Sequence, residues 1–190
     1  MAAPYQIYVT DILGSLNASL LQTTQSELKL LFDKVTDNNT NVILATGPIS
    51  PAATELLVYF MPSGLSIIKK VPNLTAPTLK GIDLNSDGNT VITASFCASE
   101  VYAKSGTNAK MLARLAFHEC MHNKLKLAGD ALHNTQDGLG KAVINDTDQP
   151  SAKNIAAMKA ALGQMVTQWA DGIGILLNGQ KDPLSEYYKI

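Results

Sequence analysis

Arginine is nearly missing from this chain: among its 190 residues Arg114 is the single example, and the other basic residues are scattered lysines. The formal net charge is −1. Nucleic-acid recognition needs a basic stripe or a cluster of Arg and Lys, and no such feature is present. Cysteine is equally scarce, with Cys97 and Cys120 alone. Two cysteines cannot build a disulfide scaffold or a four-cysteine zinc site. A Cys97–Cys120 bridge is open to them, but two buried thiols packing as small hydrophobes is the preferred reading. No apolar run reaches the roughly 18 residues a membrane-spanning helix requires. The N-terminal stretch lacks a basic n-region, its first lysine being Lys29, so it does not read as a Sec-type signal peptide. No internal repeat, low-complexity tract or linker interrupts the chain.

What is present is a globular composition. Hydrophobic residues make up 46% and charged residues 16%, a lean charged surface over a sizeable core. The length suits one domain, 1–190, with a sheet and a central helix in about 1–128 and a loop region with a closing helix in about 129–190.

Strand and helix signals alternate. Tyr5 to Val9 reads as a short strand, and Asn41 to Ala45 and Glu55 to Met61 as buried strands. Thr24-Gln25-Ser26-Glu27 fits a capping box and opens a helix to about Val35, with Leu28, Leu31, Phe32 and Val35 on one face. Ser66 to Lys70 is expected to pair with the preceding strand, and Val71 to Lys80 to form a loop. Val91 to Phe96 reads as a strand that Val101-Tyr102 continues. A long helix is expected from about Thr107 to Leu127, ending near Gly129. Ser151 can cap a last helix whose apolar stripe is Ile155, Met158, Leu162, Met165, Val166 and Trp169. The sum is an α+β domain with a mixed sheet laid on a central helix.

The chemistry lies in that central helix. Residues 111–121 read MLARLAFHECM, apolar on every side except at Arg114, His118 and Glu119. A helix apolar all round is a buried helix. An imidazole and a carboxylate buried there cost several kcal/mol unless each finds a partner, and a bound cation is such a partner. His118 and His122 stand four apart, so they share one helical face with Cβ atoms about 5–6 Å apart. Two imidazoles at that separation can ligate one Zn²⁺. Glu119 is rotated about 100° from His118. It therefore reaches a water on the metal and not the metal itself, which is the geometry of a general base. The competing reading is a pair of hydrogen-bonded core histidines with Glu119 salt-bridged, Arg114 being its nearest candidate partner.

Catalytic zinc takes three protein ligands and keeps one position open. All three histidines of the chain fall between 118 and 133, which makes His133 the candidate third ligand. A chain reversal at Gly129 brings it back: the helix rises about 10 Å from His122 to Gly129, and four residues span at most about 13 Å. Asp137 and Asp130 are the alternative ligands.

HECMH followed by Gly129 and His133 resembles the zincin metallopeptidases, and most closely their metzincin branch. The family pattern places five residues between the second and third His. Here ten intervene and Gly129 is the seventh after His122, equivalent to about one and a half further helical turns. The resemblance implies Zn²⁺ bound by His118, His122 and His133, with Glu119 as general base and peptide-bond hydrolysis of a protein or peptide substrate. It also implies a twisted sheet above the active-site helix, whose edge strand binds substrate as an added strand. The family's methionine turn has candidates in Met158 and Met165, for which core packing is the preferred reading. Small size suits a secreted or injected bacterial protease effector. A zinc hydrolase or amidase on a non-peptide substrate, and a non-catalytic metal-stabilised binding domain, are the alternatives.

Two further features carry less. Asp83 to Asn89 resembles the start of an EF-hand loop, but position 12 falls on Ala94, so a turn between strands is preferred. Tyr102, Tyr187 and Tyr188 are conceivable oxyanion donors, for each of which a packing or surface role is the preferred reading.

Overall fold

A computed structural model describes residues 2–11, 16–45, 54–62, 88–92, 97–103, 106–127, 129–164 and 169–170. The Ser66–Lys70 strand, the Val71–Lys80 loop, most of the Asp83–Asn89 turn, Met165, Val166, Tyr187 and Tyr188 lie outside the described residues. So does the side chain of Tyr102.

The described chain forms one six-stranded mixed sheet with helices packed on it. The strands are β1 (Tyr5–Thr10), β2 (Thr40–Ala45), β3 (Leu56–Pro62), β4 (Gly88–Ile92), β5 (Cys97–Ala103) and β6 (Trp169–Ala170). The helices are α1 (Ala18–Thr36), α2 (Ala109–Leu125), the short α3 (Gly129–His133) and α4 (Ala152–Ala161), with a 3₁₀ turn at Gly138–Gly140. The sheet order is β2-β1-β3-β5-β4-β6. Strands β2, β1, β3 and β5 are parallel neighbours; β4 runs antiparallel to both β5 and β6. This is the α+β arrangement expected, with α1 and α2 packed against each other, α1 over β2, and α2 over β5 and β4.

Alternation explains the core. Ile7 and Val9 on β1, and Leu56, Val58 and Phe60 on β3, are buried in one cluster with Leu28, Leu31, Phe32 and Val35 of α1. Phe32 of α1 meets Phe117 of α2 with ring centroids 4.9 Å apart, which locks the two helices together. Cys120 is fully buried on α2 and packs as expected of a small hydrophobe. Cys97 opens β5, opposite Leu56 and Ile92.

Several boundaries differ from the sequence reading. Helix α1 begins at Ala18, capped by the Asn17 side chain, which accepts from the Leu20 amide. Thr24 is inside the helix and its hydroxyl donates to the Leu20 carbonyl, so it does not cap. The extra turn forms because Leu20 and Leu21 pack against the core. The expected strand over Val91–Phe96 is two strands: Val91 pairs Ala98 and Ile92 pairs Cys97 across an antiparallel ladder. Helix α4 stops at Ala161, ahead of Gly163, and Trp169 lies on β6 opposite Ile92. Helix α2 ends two residues early, at Leu125, and that difference bears on the site.

Candidate metal centre

Helix α2 is held at both ends. The Asn108 side chain accepts from the Met111 amide at 2.9 Å and donates to Asp146 at 2.8 Å. At the other end Lys126 adopts the left-handed conformation, φ 55° and ψ 42°, with its amide directed to the His122 carbonyl. Between these caps every residue from Leu112 to Lys124 is buried, as the run of apolar residues required.

The C-terminal half of this helix brings His118 and His122 together, and α3 adds His133. The three imidazoles converge. Their ligand atoms lie within 4.8 Å of one another. Nε2 of His118 is 3.0 Å from Nε2 of His122 and 3.4 Å from Nε2 of His133. Ring centroids are separated by 4.6, 5.3 and 5.3 Å, so the rings surround a common point. His118 is 8% and His122 5% exposed, while His133 is half-buried and marks the open side of the cluster.

The hydrogen bonds fix which nitrogens face inward. His118 Nδ1 donates to the Leu139 carbonyl at 2.7 Å, and His122 Nδ1 donates to the Leu127 carbonyl. A carbonyl only accepts, so each Nδ1 carries the proton. In the neutral rings each Nε2 therefore presents a lone pair to the others. Burial first, then the neighbouring His122 and His133, lower the His118 pKa to about 3, against the raising effect of the Leu139 carbonyl, so this ring is neutral near pH 7. Lone pairs facing one another at 3.0 Å repel unless a cation lies between them. Zn–N bonds of about 2.0–2.1 Å in a tetrahedral site separate the nitrogens by roughly 3.3–3.4 Å. The donor set, its tautomers and its spacing fit a bound metal ion.

The reversal that brings His133 in is made at Lys126, not at Gly129 as expected from glycine's tolerance of positive φ. His122 explains why. Its carbonyl accepts from the Leu127 amide at 3.2 Å while its ring donates back to the Leu127 carbonyl. This two-way clasp requires the chain to turn directly after Leu125. Gly129 instead opens α3. Leu132, fully buried in the core, anchors that short helix beside His133.

The alternative ligands point elsewhere. Asp130 is exposed on the first turn of α3. Asp137 is exposed and accepts from the Ser151 hydroxyl. Glu119 is 6% exposed on the same buried helix and is not one of the three convergent side chains. Arg114 does not serve it. Its guanidinium is 3.6 Å from Glu27 on α1 and donates to the Asp148 and Lys110 carbonyls.

Sequence reasoning missed the group behind His118. Leu139 sits in the 3₁₀ turn, where Gly138 adopts φ +51° and a Cβ would come within 2.6 Å of Asn154 Oδ1. A Cβ on Gly140 would lie 2.3 Å from Cβ of Gln136. These glycines let the turn press close enough for its carbonyl to reach His118. Met158 of α4 is fully buried in the core cluster, the packing role expected of it.

The sequence matches no protein-family profile and no curated protein. Among the described residues no helix is long and apolar enough to cross a membrane.

Proposed function

We propose that this protein is a zinc-dependent metalloendopeptidase of zincin type. The observation that supports the reading is the convergence of three imidazole Nε2 atoms, two of them lone-pair acceptors by their Nδ1 bonds, with a buried carboxylate, Glu119, one position from the first of them. His118, His122 and His133 hold the ion. Bound zinc lowers the pKa of a coordinated water to near 7 and polarises a substrate carbonyl.

The chain's own groups do the rest. Glu119 takes the proton of the attacking water and passes it to the leaving amine. The Leu139 and Leu127 carbonyls hold the ligand rings in the tautomer that presents Nε2. Substrate enters from the less buried side, at His133. The zincin resemblance places it as an added strand on the sheet edge.

The test is metal content and casein cleavage for wild type and Glu119→Gln. The expected result is zinc in both, with cleavage reduced about 10²–10⁴-fold in the variant, the contribution of a positioned general base. Zinc in both with no cleavage of any unstructured protein by wild type would contradict peptidase activity. It would favour a non-peptide hydrolase or a metal-stabilised domain.

A further inference from the structure

Helix α4 carries one buried side chain that neither packs as a hydrophobe nor touches the histidines. Asn154 has no exposed surface. Its Oδ1 accepts from the Leu139 amide at 2.9 Å and from the Ser151 amide at 3.1 Å. Its Nδ2 donates to Oε1 of Gln136 at 3.1 Å. The bond to the Leu139 amide is itself buried, so without the Asn154 oxygen that donor would be stranded away from water.

The partners are what give these bonds meaning. Leu139 is the residue whose carbonyl orients His118, so its amide and carbonyl are held by Asn154 on one side and His118 on the other. Gln136 follows α3 closely, and its own amide donates to the Leu132 carbonyl at 2.8 Å, next to His133. One carboxamide thus ties together the turn behind the first ligand and the segment that carries the third.

We infer that Asn154 is the positioning residue of the metal centre: it sets the Leu139 carbonyl that fixes the His118 tautomer, and through Gln136 it sets the approach of His133. The inference rests on the metal reading above for its consequence, but the tautomer of His118 is a property of the metal-free chain. Removing the hydrogen-bond partners that orient metal ligands typically weakens binding about 10–100-fold. Asn154→Asp keeps the oxygen that accepts from Leu139, and Gln136 can turn its amide nitrogen to meet the second oxygen.

The experiment compares wild type, Asn154→Ala, Asn154→Asp and Ala156→Gly. Ala156 is exposed on the same helix, and glycine there weakens α4 without touching these bonds. Two quantities are read: Zn²⁺ affinity by competition with a chelator, and the His118 tautomer by ¹⁵N NMR of the metal-free protein. The expected result is about 10–100-fold weaker zinc binding for Asn154→Ala and a mixture of His118 tautomers. Asn154→Asp and Ala156→Gly should stay within about threefold of wild type, with Nδ1 protonated. Unchanged tautomer and affinity in Asn154→Ala would overturn the inference, as would an equal loss in Ala156→Gly. If wild type takes up no zinc, the metal reading fails and the NMR comparison still decides the role of Asn154.

Discussion

The Nε2 atoms of His118 and His122 lie 3.0 Å apart, while the opposite nitrogen of each ring donates to a backbone carbonyl. Those carbonyls hold two lone pairs face to face, and the Nε2 atom of His133 lies 3.4 Å from that of His118. A cation bound among the three rings would relieve that repulsion, and several consequences can be measured.

Zinc should stabilise the fold by mass action. At free zinc one hundredfold above Kd the gain is about 2.7 kcal/mol, and a chelator should reverse it. His122→Ala should abolish the shift. His133→Ala, which removes the half-buried ligand, should weaken zinc by at least about tenfold, since even outer-shell changes cost that much. Thermal unfolding against zinc concentration checks all three. An equal shift in wild type and His122→Ala would remove that residue from the site.

Metal-free stability should depend on pH through His118. Its folded pKa is lowered to about 3, chiefly by burial, whereas an unfolded imidazole titrates near about 6.5. Between these values the unfolded chain holds a proton that the folded chain does not. Stability therefore falls as pH is lowered from about 6.5, by roughly 1 kcal/mol per pH unit, and the loss stops growing near pH 3. Above about 6.5 this contribution is flat. Urea unfolding of metal-free wild type and His118→Leu between about pH 7 and 5 measures it. Parallel pH profiles for the two proteins would contradict the assignment.

Lys126 pays for the turn that ends α2. A non-glycine residue at φ 55° is strained by about 1–2 kcal/mol. Lys126→Gly should therefore raise stability by about 1 kcal/mol or slightly less, part of the relief being offset by greater freedom of the unfolded chain. Zinc affinity should be unchanged, since the turn keeps its geometry. A lower melting temperature would contradict this account of the turn.

The sheet and its partner helices were largely legible because their signals are local. Short apolar runs located β1, β2 and β3, and the stripe Leu28, Leu31, Phe32 and Val35 located the buried face of α1. His118 and His122 were legible from helical spacing, and His133 from the concentration of histidine in one segment. The division of β4 from β5 was not, because residues 93–96 read Thr-Ala-Ser-Phe, without the Gly, Pro or Asn that marks a turn. Nor was the pivot at Lys126, since a glycine preference is statistical and the bond from the His122 ring to the Leu127 carbonyl has no spacing signature. The Leu139 carbonyl has no side-chain signal at all. Asn154 had one that went unused: with Met158 and Ala161 it completes the buried positions of α4, and a polar residue on a buried stripe needs a partner.

Zinc K-edge X-ray absorption of the purified protein tests the central claim most directly. The expected spectrum shows one zinc per chain with three imidazole nitrogens at about 2.0–2.1 Å and one further oxygen ligand, and one imidazole fewer in His133→Ala. Protein that takes up no stoichiometric zinc, or a spectrum with fewer than three imidazoles in wild type, would contradict it.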